Sequence, residues 1–231
     1  MNLYYDFHIH TCLSPCGDSD MTPNNIVNMA VLKGLDAIAI TDHNHAGNVL
    51  ACMDAAKDTE LLVIGGMEVE TSENIHSIVL FEDVDALFEL EKKIHSLLPP
   101  IKNKTDIFGD QIIMDSNDDV VSYEDKFLVT AANIDIFSLY EEVTRLGGVI
   151  FPAHIDKKSY SIISNLGSIP QELKFGAVEV KFGESAKLYE SDFKVIKNSD
   201  AHYLWDISEK QHYFSVKNKT KYDVLSNLKQ K

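Results

Sequence analysis

Arginine is nearly missing from this chain. Arg145 is the single one among 21 basic residues in 231. The bidentate guanidinium fork that grips phosphates and carboxylates is therefore scarce. Basic charge as a whole is short: 36 acidic residues against those 21 leave a formal net charge of −15. Long nucleic acid, which is held through rows of Lys and Arg, is not an expected partner. Cysteine is sparse and odd in number, at Cys12, Cys16 and Cys52. That excludes a disulfide framework and points to a reducing, cytoplasmic setting. Cys12-x3-Cys16 has no second cysteine pair to complete a zinc knuckle. No apolar run reaches the roughly 18 residues of a membrane span, and no basic-then-apolar signal pattern opens the chain. Internal repeats and low-complexity stretches are absent too.

What is present is 45% hydrophobic content, enough for one sizeable core, so a single domain with an insertion is expected. The stretch Tyr4-Tyr5-Asp6-Phe7-His8-Ile9-His10 alternates at period two. As a strand it puts Asp6, His8 and His10 on one face and Tyr5, Phe7 and Ile9 on the other. Two imidazoles spaced by one residue can then converge on a metal ion, although two solvated histidines on a half-buried strand would read the same. A turn-rich loop follows, and Thr22-Pro23 opens a helix as N-cap and first helical residue, ended by Gly34. Leu35 to Ile40 is a second strand that runs into Thr41-Asp42-His43-Asn44-His45.

The rhythm repeats. A helix over Gly47 to Lys57 precedes a strand from Leu61 to Thr71 that carries Glu68 in its apolar stretch, where a carboxylate needs a partner. His76 begins a fourth strand, and Asp85 to Leu98 is an amphipathic helix closed by Pro99-Pro100. Residues 99–135 break the pattern. A short hairpin around Ser116-Asn117, a candidate lid, is expected there, with Asp110, Asp115, Asp118 and Asp119 in a solvated turn and a helix over Tyr123 to Ala132. Strands then end on Pro152-Ala153-His154 and on Ser199-Asp200-Ala201-His202. A strand at Tyr213 to Val216 and a helix at Tyr222 to Leu228 close the chain.

Candidate ligands thus stand at His8, His10, Asp42, His43, Glu68, His76, His154, Asp200 and His202. Most fall at the ends of predicted strands, where βα folds gather ligand residues. Chance would scatter them over helices as well, as with His95 in mid-helix. His45 and His212 fit no pattern and are read as surface or supporting residues. The tally points to a multinuclear metal site.

The combination His8-x-His10, Thr41-Asp42-His43, Glu68, His76, Pro152-Ala153-His154 and Ser199-Asp200-Ala201-His202 resembles the polymerase and histidinol phosphatase (PHP) superfamily over nearly the whole chain. The resemblance implies an α/β fold, a distorted TIM-like (β/α)7 barrel with an inserted segment around residues 99–135, and a trinuclear metal centre. One ion would take His8, His10, Glu68 and Asp200. A second would share Glu68 and add His76 and His154. A third would take His43 and His202 with a ligand from the loop after His10, for which Asp18 is the choice and Cys16 the alternative. Asp42 would orient a neighbouring ligand. Mixed His and carboxylate ligation suits two to three Mn, Zn or Fe ions. The expected activity is hydrolysis of a small phosphomonoester by water activated between divalent ions, with Glu68, Asp200 and His202 as catalytic residues and Lys157 on the substrate phosphate. A nuclease on short oligonucleotides and a non-catalytic metal-stabilised module are the rivals. The partner expected is a small phosphorylated substrate, with no long nucleic acid and no membrane.

Overall fold

The structure is a computed structural model and describes residues 1–229. In chain order the elements are β1 (Asn2–Ile9), α1 (Pro23–Leu32), β2 (Ala37–Ile40), α2 (Val49–Ala55), β3 (Leu62–Glu70), β4 (His76–Phe81) and α3 (Val84–Leu97). Then come α4 (Thr105–Phe108), β5 (Ile112–Met114), β6 (Val120–Tyr123), α5 (Ile136–Arg145), β7 (Val149–Pro152) and α6 (Ile162–Leu166). The chain finishes with β8 (Ala177–Glu179), α7 (Ala186–Tyr189), β9 (Lys194–Ile196), β10 (Tyr213–Ser215) and α8 (Lys221–Lys229). Thr22 caps α1 as its sequence suggests, its side chain accepting from the Asn25 amide, with Pro23 in the first turn. Among the described residues no helix is long and apolar enough to cross a membrane.

One six-stranded sheet runs in the order β10-β1-β2-β3-β4-β7. β1, β2 and β3 pair in parallel, but β4 is antiparallel to both β3 and β7. The reason is local. No helix separates β3 from β4; the Thr71–Ile75 turn, with Asn74 at φ 57, folds them into a hairpin. β8 and β9 form a separate parallel pair. The residues just past β7 and β9 join that pair to the main sheet: Ile155 N–H donates to Glu179 O, and Ala201 bridges Ile9, accepting from His10 N–H and donating to His8 O. The sheet is therefore curled and mixed, an open half-barrel, and the distorted (β/α)7 barrel expected from the resemblance is seen only in part. The reversal of β4 has a useful consequence. Its first residue, His76, comes to the same rim as the last residues of β1, β2 and β3.

Leu3, Tyr5, Phe7, Ala39, Ile64, Ile78, Leu80 and Phe151 make one buried apolar cluster, sealed by Val224, Leu225 and Leu228 of α8. Each such buried side chain contributes roughly 1.5–3 kcal/mol. A second, larger cluster, including Ile38, Ile40, Met67, Val79 and Phe81, packs beneath α1, α2, α3 and α5. On β3 the even positions Leu62 and Ile64 join the first cluster and Met67 and Val69 the second. Glu68 is in phase with Ile64, so its carboxylate stands above the first cluster.

The insertion is a hairpin, β5 with β6, as expected. The helix expected over Tyr123 to Ala132 is absent. Buried Gln111 takes the backbone groups a helix would have used: its amide donates to Glu124 O and Lys126 O, and its oxygen accepts from Leu128 N–H. Asp118 is not merely solvated. It accepts from Thr22 Oγ and from the Asn24 amide, so the hairpin is hooked to the start of α1.

Candidate metal centre

Glu68 is fully buried and has five imidazoles around it. His76 Nδ1 lies 2.8 Å and His154 Nε2 3.3 Å from Oε1; His43 Nδ1 lies 3.0 Å from Oε2; His8 Nε2 lies 3.3 Å from Oε1 and His10 Nε2 3.4 Å from Oε2. Asp200 Oδ1 is 3.4 Å from His8 Nε2 and 3.5 Å from His10 Nε2. Backbone devices aim these groups. The ladder between β1 and β2 is irregular between Asp6 and Ile9, which turns His8 and His10 to the centre. Asp6 does not join them; its carboxylate accepts from Ser199 and Ser208 amides instead. His154 and Asp200 sit at φ 29 and 55, left-handed conformations that cost about 1–3 kcal/mol each and turn the chain sharply at a strand end.

The hydrogen bonds around the cluster fix the ring tautomers. Glu179, buried, accepts from His8 Nδ1–H at 3.1 Å and is held by the His154 amide and by Asn198. His10 Nδ1–H donates to Ser14 Oγ at 3.0 Å, and Ser14 in turn donates to Asp42 at 2.7 Å. Both Nε2 atoms then carry lone pairs, yet they face each other at 3.2 Å. Two lone pairs cannot bond to each other; a second proton on His8 or a metal cation between the rings resolves the arrangement. Glu68 Oε2, His43 Nδ1, His76 Nε2 and His154 Nδ1 are buried without a hydrogen-bond partner. Unpaired polar atoms at that density in a core are costly unless something else binds them. The donor set thus fits divalent transition ions.

Electrostatics agree. Burial opposes charge on His8, but Glu179, Glu68 and Asp200 outweigh it and raise its pKa well above the usual range. Burial, with His202 and His43 nearby, pushes His10 well below it. Burial would keep Glu68 protonated; His76, His8 and His43 overcome that and hold it as a carboxylate. The pocket is an anionic nest that asks for positive charge, which a proton or a metal ion can supply.

Asp42 reaches His10 through Ser14 and makes no side-chain hydrogen bond with His43. It also accepts from the amide and hydroxyl of Thr11. His10, His43 and His202 form a further group. Of the two loop residues weighed for it, Asp18 turns back into its own loop, its Oδ1 accepting from the Asp20 amide. Cys16 faces the group. Its surface is exposed, but burial of the sulfur raises the thiol pKa while hydrogen bonds with His202 and His43 bring it down to about 6. Gly17 makes that loop possible, since a Cβ there would meet Thr11 O at 2.3 Å. Lys157 reaches the cluster, its Nζ 2.6 Å from Asp200 Oδ2. Sequence reasoning missed Glu179 and Ser14. A carboxylate inside the apolar run Ala177-Val178-Glu179-Val180 was the available signal for the first; a lone serine in a loop offers none.

The PHP domain model matches residues 6–228. The chain belongs to the PHP domain family. Its neighbours in sequence include the uncharacterized protein MJ0043 of Methanocaldococcus jannaschii, 26% identical over 90% of this chain and 23% of that protein. In structure it is similar to the lesion-specific endonuclease PfuEndoQ of Pyrococcus furiosus, with a TM-score of 0.74 at 19% identity, over 99% of this chain and 56% of that one. It is also similar to a protein from Bifidobacterium adolescentis described as a metal-dependent phosphoesterase, with a TM-score of 0.63 at 18% identity, covering 97% of this chain and 94% of that one. This chain therefore spans about a quarter of the first relative and just over half of the endonuclease. Members of this family are metal-dependent hydrolases, phosphoesterases among them, and the fold and donor set here agree with that class.

Proposed function

We propose that this PHP domain hydrolyses a small phosphomonoester. The observation that carries the reading is Glu68, one buried carboxylate with five imidazoles at 2.8–3.4 Å. In this reading Glu68 would serve two ions, one held with His8, His10 and Asp200 and the other with His76 and His154. His43, His202 and Cys16 make a third position, with Cys16 preferred to Asp18. Two to three Mn, Zn or Fe ions would fill a sheet rim of this kind. Bound there, divalent ions lower the pKa of water and neutralise phosphoryl oxygens.

The chain's own residues supply the rest. Lys157, paired with Asp200 at 2.6 Å, is free to turn its ammonium to a substrate phosphate once cations satisfy that carboxylate. His202 Nδ1–H donates to Asp200 O at 2.9 Å, which fixes the ring and leaves Nε2 for one of two roles: to hold the third ion, or, where only two ions bind, to carry the proton for a leaving alkoxide. Glu179 and the Asp42–Ser14 pair hold His8 and His10 in register. With a formal charge of −15, a compact phosphorylated substrate suits the surface better than a long polyanion.

A second reading has one observation in its favour. Tyr203 and Trp205 stack at 4.8 Å beside His202, and Trp205 is 70% exposed. Such a platform can stack a base for about 1–3 kcal/mol. Endonuclease Q has been solved with a 27-mer duplex bearing an abasic lesion. A nuclease acting on oligonucleotides is the alternative, and a metal-stabilised module without activity the third. The experiment is one panel with manganese added: phosphorylated sugars, nucleotides and amino-alcohols read by phosphate release, and end-labelled oligonucleotides, intact and abasic, read by gel. Phosphate release with intact oligonucleotides supports the proposal. Strand cleavage without phosphate release would replace it with the nuclease reading.

A further inference from the structure

A second histidine–carboxylate cluster lies outside the Glu68 centre and shares no residue with it. His45 comes from the loop between β2 and α2, His95 from the last turn of α3, and Glu124 directly follows β6. Glu124 Oε2 is 3.4 Å from His45 Nε2 and 3.4 Å from His95 Nε2. Their ligand atoms all lie within 4.8 Å of one another. Tetrahedral zinc with bonds near 2.0–2.2 Å puts neighbouring donor atoms roughly 3.3–3.5 Å apart. The His–Glu separations match that edge and are long for hydrogen bonds. His95 Nε2 is shielded from solvent and has no hydrogen-bond partner.

His45 is held from behind as well. Its Nδ1 accepts from the Gly47 amide at 3.0 Å, and Nε2 faces Glu124. Glu91 of α3, 2.8 Å from the same Nδ1, stands where it can take a proton on that nitrogen once Nε2 gives its own up to a cation. All three candidate ligands are partly exposed, so solvent can take a fourth position.

We propose that His45, His95 and Glu124 bind a zinc-class divalent cation, with water as fourth ligand, at a site separate from the Glu68 centre. The cation pins the inserted hairpin to α3 and to the loop that follows His43. The junction is already tied on one side, where Lys126 Nζ donates to His95 O at 2.6 Å. This inference goes beyond the proposed hydrolysis and stands whether or not that activity is found.

The test uses the whole chain loaded with zinc or cobalt, desalted and analysed for metal. His95→Ala and Glu124→Gln are each expected to hold one equivalent less than the parent, with unchanged circular dichroism. Glu68→Gln should keep that equivalent and the visible absorption of four-coordinate cobalt, which Glu68→Gln/His95→Ala should lose. Zinc should also slow proteolysis between residues 99 and 126 in the parent and not in Glu124→Gln, the near-isosteric variant. Parental metal content in both single variants would overturn the site. So would loss of stability without loss of metal, which would make the cluster an ion-pair brace.

Discussion

The two histidine–carboxylate clusters are built in opposite ways. Around Glu68 the groups come from strand ends at one rim of the sheet, are almost fully buried, and rest on a packed apolar floor. Around Glu124 they come from a loop, a helix end and an inserted hairpin, all partly exposed. Strand ends are rigid and let several side chains point at one place with little room to move, which suits chemistry. A loop-borne site tolerates displacement and suits attachment. The contrast also sets what each region loses when one residue changes.

The largest effect should come from Glu68→Gln. The variant keeps the shape and removes the charge that five imidazoles surround, and turnover on the best substrate should fall by about 10³-fold or more. Near-parental activity would move the centre of the site elsewhere. Next is Glu179→Gln, which touches no candidate ion position but orients His8; metal affinity in the Glu68 centre should drop roughly 10–100-fold, read by competition with a chelator. An equal loss at the Glu124 cluster would erase the distinction between the regions. Smaller again is Lys157→Ala. It should lower kcat/KM by roughly tenfold, about 1.4 kcal/mol, with metal content unchanged and partial recovery in Lys157→Arg. Unaltered kinetics would leave phosphate binding to the ions alone.

The smallest effect is a reactivity. In metal-free protein the Cys16 thiol, brought down against burial to about 6 by the neighbouring imidazoles of His202 and His43, should be mostly thiolate at neutral pH. Alkylation should rise with pH through about 6 and level off, while buried Cys12, pushed up to about 12, stays unlabelled. Manganese or zinc should protect Cys16. Protection absent, with Asp18→Asn weakening metal binding instead, would return the third position to Asp18.

The Glu68 centre was legible because strand periodicity survives in one dimension. His8 with His10, and Glu68 inside an apolar run, carry their direction in their spacing. His76 was readable as a candidate, but only the reversal of β4 explains how the start of a strand reaches the rim where others end. Cys16 against Asp18 was not decidable, because the path of the loop around Gly17 sets which side chain turns inward. Glu179 went unread although its carboxylate stands in an apolar run, and Ser14 is a lone serine in a loop. The His45, His95 and Glu124 cluster had no signal at all: three elements far apart in sequence meet through the hairpin. The absent helix after β6 has the same origin, since Gln111 captures its backbone from a distance.

The most direct measurement is an anomalous difference map from crystals loaded with manganese. One peak is expected among His8, His10, Glu68 and Asp200 and a second among Glu68, His76 and His154, with Glu68 touching both. Peaks that leave Glu68 uncoordinated, or a centre empty at saturating manganese, would contradict it.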